Sequence, residues 1–348
     1  MRLQGVPDEA GLYSPARRND RERAVEPSPF PAVPPPPTAP PERPLALFFR
    51  WVRRLGWKLN LLLLAATLVT TTLAGGGFLL APDDPVRGSL SGPWLLITDP
   101  LRLLHAGLPY SLSVIAILGA HEMGHYLACR YYGVAATPPF FIPCPMMLGT
   151  FGAVIRIKET VPSRKALFDI GIAGPLAGFA VAVPIVAIGV STAHASAPQP
   201  GGSEQVFAAP LLLDLLGAWL ARPLPPGTGW ELNAYLLAAW VGTFATAINL
   251  FPSGQLDGGH VCYAISRRLH RLASRATLVG LSLLLLYSIS VYSSPVWLVW
   301  VVVLWVMGPR HPPLLDESEG LSPVRLVIAA VGVLVFFLSF TLVPIYST

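Results

Sequence analysis

Ser111-Leu-Ser-Val-Ile-Ala-Ile-Leu-Gly119-Ala-His121-Glu122-Met-Gly-His125-Tyr-Leu-Ala-Cys129 is a nearly uninterrupted apolar stretch that carries two histidines and a glutamate toward one end. Its length is close to the roughly 20 residues with which a helix crosses the hydrocarbon core of a bilayer. Ionisable side chains inside such a span are costly and mark function by default. The stretch therefore predicts both a membrane-spanning helix and a chemical site inside it.

Outward from this stretch, the rest of the chain reads the same way. Hydrophobic residues make up 53% of the 348 and charged residues only 12%, about half the charge of an ordinary soluble protein. Further spans are expected at Leu59–Ala81, Ala166–Ser191, Ala234–Phe251, Ala276–Tyr292, Trp297–Met307 and Leu326–Ile345. Ser293, Ser294 and Pro295 turn the chain between two of them. Leu211–Leu220, with Asp214 inside it, is too short to cross and reads as an interfacial or re-entrant helix. The expected fold is an all-α membrane protein, a polytopic helical bundle of about seven spans.

With a cytoplasmic N-terminus, 21 of the 24 Lys and Arg fall in cytoplasmic segments, and only Arg87, Arg102 and Arg222 lie outside. Every alternation then obeys the positive-inside rule. The same bias accounts for the basic balance without nucleic acid, because no basic stripe interleaved with aromatics lies beyond the juxtamembrane loops. Residues 1–45, with the run Pro34–Pro37, read as a disordered cytoplasmic tail, and residues 46–348 as the polytopic membrane domain. Trp51, Arg53, Arg54, Trp57 and Lys58 form an interfacial anchor. The tail lacks a secretory signal, and a bacterial inner membrane is the expected location. Cys129, Cys144 and Cys262 all fall on the reducing side, so no disulfide is implied.

The motif His121-Glu122-x-x-His125 places two imidazoles on one helix face at i and i+4. They can bind one zinc ion together, while Glu122 takes a proton from the water that the metal activates. A catalytic zinc keeps three protein ligands and an open position. Asp257 supplies the third, in Asn249-Leu-Phe-Pro252-Ser-Gly-Gln-Leu256-Asp257-Gly258-Gly259-His260, where Pro252 and the glycines break the helix and let a carboxylate turn inward. If each segment is helical, His121 and Asp257 lie about 13 and 15 Å from the basic residues Arg130 and Arg267, at one depth. His270 falls among surface basics, and it and His260 read as supporting residues. Cys129, one turn beyond His125, reads as a buried structural thiol.

These two motifs together resemble the site-2 protease family of intramembrane zinc metalloproteases, in which H-E-x-x-H on one span is paired with N-x-x-P-x-x-x-L-D-G on another. Asn249, Pro252, Leu256, Asp257 and Gly258 meet the second pattern. The resemblance implies His121, His125 and Asp257 as ligands of one Zn²⁺ per chain and Glu122 as general base. It further implies Asn249 as a polar group on the substrate or oxyanion, and a single-span membrane protein as substrate. It covers roughly Ser111 to His270, the expected catalytic core. Thr150-Phe-Gly-Ala-Val-Ile-Arg156 and Ala173-Gly-Pro-Leu-Ala-Gly178 are similar to the branch found in cyanobacteria and chloroplasts, and the PDZ or CBS domains of some relatives are absent.

Phe151, Ala153, Ile155 and Ile157 alternate with Gly152, Val154 and Arg156, which predicts a strand between two spans. Its edge, at Phe151, Gly152 and Ala153, can hold an unwound substrate by main-chain pairing, or be a plain membrane-surface hairpin. Gly171, Gly174 and Gly178 offer a face that lets a neighbouring helix approach closely. Two other functions fit the metal motif: an inactive zinc-binding scaffold or chaperone, and a metal transporter. The transporter would need further acidic or His residues in the outer halves of the spans, which lack them.

Overall fold

The computed structural model describes residues 57–80, 85–145, 148–196, 205–220, 225 and 228–347. The tail expected over residues 1–45, the anchor residues Trp51, Arg53 and Arg54, and Arg222 lie outside them. The described residues are mostly helical, with three two-stranded sheets.

Helix α1 is Trp57–Leu80, α2 is Pro85–Thr98, α3 is Pro100–Tyr131 and α4 is Arg164–Thr192. Then come α5 (Leu211–Leu220), α6 (Ala234–Asn249), α7 (Asp257–Ile265), α8 (Arg267–Tyr292), α9 (Leu298–Met307) and α10 (Pro323–Ser339). By length and composition α1, α3, α4 and α8 are able to cross a membrane, whereas α5, α6, α9 and α10 are apolar helices of 10–17 residues. The seven expected spans therefore divide into four long helices and three short ones.

Local chemistry sets the boundaries. Helix α3 starts eleven residues before the predicted span because Asp99 caps it, accepting from the Arg102 amide at 3.3 Å, and Pro100 fits the first turn. Ser163 caps α4 and Asn233 caps α6 in the same manner. Helix α10 stops at Ser339 instead of running to Ile345. Pro344 cannot continue a helix, and residues Ile345–Ser347 form a short strand that pairs with Gln205–Phe207. The path from Asp257 to Arg267 is not one helix either, since Ser266 adopts an extended conformation and caps α8.

Lipid tails are as apolar as the side chains they would replace, so helices associate here through close packing and hydrogen bonds. Helices α1 and α3 cross where a Cβ on Gly107 would strike the backbone of Thr72, and the hydroxyls of Thr71 and Ser111 bond across the crossing. Such an intramembrane bond is worth roughly 0.6–2 kcal/mol. Helix α4 packs on α3 and α6 through Ile117, Val186, Val190, Leu236 and Ala239. Its other end meets α7 and α10 through Phe168, Ile172, Val261 and Val335. Arg325 of α10 grips Asp169 of α4 with two bonds, at 2.7 and 3.0 Å, and the Tyr132 hydroxyl donates to the same carboxylate.

Between α3 and α4 lies an antiparallel hairpin of β1 (Phe140–Pro143) and β2 (Thr150–Val154). It is strung between helices: the Asn60 amide donates to Pro139 O (2.8 Å), Thr70 to Gly149 O (2.7 Å) and Tyr110 to Leu148 O (2.9 Å). The strict alternation predicted for β2 does not hold. Phe141–Pro143 on β1 faces Thr150–Ala153 on β2, one residue longer, and Gly152 has φ +104°. This is a β-bulge, and it turns Phe151 and Val154 outward where alternation would have paired Phe151 with Ala153.

Candidate metal centre

His121, Glu122 and His125 lie on α3 and are buried. Asp257 opens α7, after a tight turn over residues 250–256. Gly254, with φ +56°, is clamped there from α8: its amide donates to Ser274 Oγ (3.2 Å), and its carbonyl meets His270 Nε2 (2.9 Å). His270 is therefore buried at 1% exposure, not among surface basics. The helical period explains the difference, since it turns His270 and Ser274 inward while Arg268, Arg271 and Arg275 face outward. The Gly258–Gly259 pair lets the first turn of α7 lie against the carbonyls of Leu250 and Gly254, where a Cβ would collide.

These elements bring three atoms together. His121 Nε2 and His125 Nε2 are 3.1 Å apart, and each is 3.2 Å from Asp257 Oδ2. His125 Nδ1 lies 2.7 Å from the Ile170 carbonyl of α4. A carbonyl only accepts, so Nδ1 carries the proton and Nε2 presents a lone pair to the cluster. Lone pairs and a carboxylate converging on one point must be held together by a proton or a cation. Around a tetrahedral ion with bonds of about 2.0–2.1 Å, neighbouring ligand atoms stand roughly 3.3 Å apart. The observed triangle has edges of 3.1–3.2 Å, so this two-imidazole, one-carboxylate set fits zinc. Among the described residues no other group of three or more such ligands is gathered, and Cys129 packs instead with Val134 and Ile170.

The glycines predicted to admit a neighbour do so here. Gly174 lies under the His125 ring, Gly178 beside His121, with 3.1 Å from its would-be Cβ to the histidine's Cβ, and Gly171 against His260 and the Asp257 carbonyl. The Asn249 amide, at the last residue of α6, is 3.4 Å from His121 Nε2. Phe151, Gly152 and Ala153 lie on β2, outside the group of three ligands. His270 supports the turn, as its reading as a supporting residue anticipates, whereas the Ile170 carbonyl and the Ser274 hydroxyl are not singled out in the sequence, because a backbone acceptor carries no residue signature and serines are common in apolar helices.

Comparison with known proteins agrees with this geometry. The chain is 34% identical over 256 residues to "Probable zinc metalloprotease EGY2, chloroplastic" of Arabidopsis thaliana, covering 72% of this chain and 44% of that protein. It is 34% identical over 259 residues to "Probable zinc metalloprotease EGY1, chloroplastic" of Oryza sativa subsp. japonica (71% and 42%). The Arabidopsis protein of the latter name is 32% identical over 250 residues (70% and 44%). The chain thus spans less than half the length of these relatives. The sequence profile of peptidase family M50 matches residues 109–289, which enclose all the residues of the site. On this match, over more than half its length, the chain belongs to peptidase family M50, the site-2 protease family of multi-pass membrane proteins.

Proposed function

We propose that the chain is an intramembrane zinc endopeptidase, cutting a peptide bond in or near the transmembrane helix of a single-span membrane protein. The observation that carries this reading is the triangle of His121, His125 and Asp257 with the carboxyl of Glu122 on the adjoining residue of α3. His121, His125 and Asp257 would hold one zinc ion per chain, which would supply Lewis acidity at the site. Glu122, buried beside His121 on α3, accepts the proton of the attacking water and returns it to the leaving amine. Asn249 donates its amide N–H to the oxygen on which negative charge develops.

A helical substrate has its carbonyls already bonded and screened, so it must unwind locally before attack. The free edge of β2 at Phe151, Gly152 and Ala153 receives the unwound segment by main-chain pairing. Seven spans are proposed, with α6, α9 and α10 as short ones that the long helices support. The N-terminus and the water path to the site face the cytoplasm of a bacterial inner membrane, a topology supported by the placement of Lys and Arg.

The reading is tested by reconstituting the protein with a panel of single-span test proteins and mapping product ends by mass spectrometry. Cleavage within or beside the span supports it. A zinc-loaded protein that cuts none of the panel favours a scaffold role.

A further inference from the structure

A second cluster of titratable side chains lies outside the triangle, on the segment 308–322 that joins α9 to α10. His311 Nε2 is 2.7 Å from His260 Nδ1, and His311 Nδ1 is 2.6 Å from the Pro312 carbonyl. The carbonyl fixes the proton on His311 Nδ1, so Nε2 is the acceptor and His260 Nδ1–H the donor. The His311 ring also stacks on Tyr263, with centroids 4.0 Å apart and planes at 19°. Six residues on, Glu317 accepts from the Tyr263 hydroxyl at 3.0 Å and pairs with Arg267 at 2.5 Å and Arg164 at 3.5 Å. The backbone of the segment is tied down as well, with the amides of Leu315 and Asp316 donating to the carbonyls of Val161 and Pro162 just ahead of α4.

Both side chains so gripped, His260 and Tyr263, belong to α7, three and six residues after Asp257. Helix α7 has nine residues, its N-cap Leu256 makes no side-chain cap bond, and it ends at the extended Ser266. So short and uncapped a helix does not set its own orientation. On one side it rests on α4, where Gly171 meets the Cβ of His260. The strap of residues 308–322 holds the other side.

We infer that His311 is a positioning residue for the metal: by accepting from His260 and stacking on Tyr263, it fixes the roll of α7 and thereby the direction of the Asp257 carboxylate. Glu317 supports it through the Tyr263 hydroxyl. The inference rests on the zinc reading above. It adds a requirement for a residue that lies 51 positions along the chain from its partner and beyond the matched family region.

The test measures zinc affinity of the full chain in detergent by competition with a chromophoric chelator, and records the d–d absorption of the cobalt(II)-substituted protein. His311→Phe keeps a ring to stack on Tyr263 but removes the acceptor. His311→Gln restores an acceptor near the position of Nε2. Removing a direct hydrogen-bond partner of a metal ligand typically costs 10–100-fold in affinity, and His311, which acts on Asp257 through α7, belongs at the lower end of that range. The expected result is a loss of about 10-fold in His311→Phe with an altered cobalt spectrum, and recovery to within about threefold of wild type in His311→Gln. Tyr263→Phe, a milder change, is expected to weaken zinc in the same direction, and serves if His311→Phe does not accumulate. Wild-type affinity in both His311→Phe and Tyr263→Phe, or equal weakening by Phe and Gln at position 311, overturns the inference alone. A wild-type protein that takes up no zinc overturns the metal reading, and this inference with it.

Discussion

The Nε2 edge of His125 fills the space a Cβ on Gly174 would need, since such a Cβ would stand 2.1 Å from Nε2 and overlap the imidazole. The glycine on α4 is thus what lets the His-bearing face of α3 sit against its neighbour, while the Ile170 carbonyl, one turn earlier on α4, accepts a hydrogen bond from Nδ1–H of the same ring.

Gly174→Ala is accordingly expected to displace His125 and to weaken zinc by at least about 10-fold. Gly280→Ala, on α8 where nothing lies within 4 Å, is the control and should bind normally. Zinc titration of the two variants checks this.

Asn249 stands 3.4 Å from His121 Nε2 without belonging to the triangle. Its replacement by Ala should leave zinc content intact and lower kcat by about 10²–10³, the usual cost of removing one donor to a developing oxyanion. KM should change little. A loss of zinc parallel to the loss of rate would instead make Asn249 a support of His121.

Gly152 takes φ +104° in open space, so a side chain there meets no clash but a strained backbone, at about 1–3 kcal/mol. Gly152→Val should flatten the bulge and disturb the pairing edge of β2. The expected signature is a raised KM for a membrane substrate with kcat largely kept, read from a steady-state series.

The Arg267 guanidinium beside Glu317 holds this carboxyl at about 2, below its usual range. A depressed carboxylate stabilises the fold above its ordinary pKa of about 4.3, and that contribution fades as pH falls through the folded value. Thermal melts of wild type and Glu317→Gln should therefore differ by a constant amount from pH 7 to about 5, and converge near pH 2. Convergence already at pH 4 would show that the ion pair does not form.

Much of the site was legible because it is local. His121, Glu122 and His125 share two turns of one helix, and the costly placement of three polar side chains in an apolar span needs no tertiary knowledge. Asp257 was legible through the glycines and proline that break the chain around it. What eluded sequence reasoning depends on partners far apart: the bulge at Gly152, invisible to an alternating pattern, and the His260–His311 pair. The inward turn of His270 was readable in principle, since Arg268, Arg271 and Arg275 mark the opposite face of α8. The short helices α6 and α10 show why hydropathy overstates helix length, whereas α9 matches its expected bounds to within one residue. Helix α6 ends at Asn249 while Leu250 and Phe251 extend the apolar run, and α10 ends at Ser339 while Phe340, Leu342 and Val343 extend it toward Pro344.

The central claim is that His121, His125 and Asp257 hold a zinc ion whose chemistry Glu122 completes. The most direct test measures metal content and cleavage of a single-span substrate side by side in wild type and Glu122→Gln. The account predicts about one zinc per chain in both, with cleavage reduced by at least about 10²–10⁴-fold in the variant. A wild-type chain that carries no zinc, or a Glu122→Gln chain that cuts as fast as wild type, would contradict it.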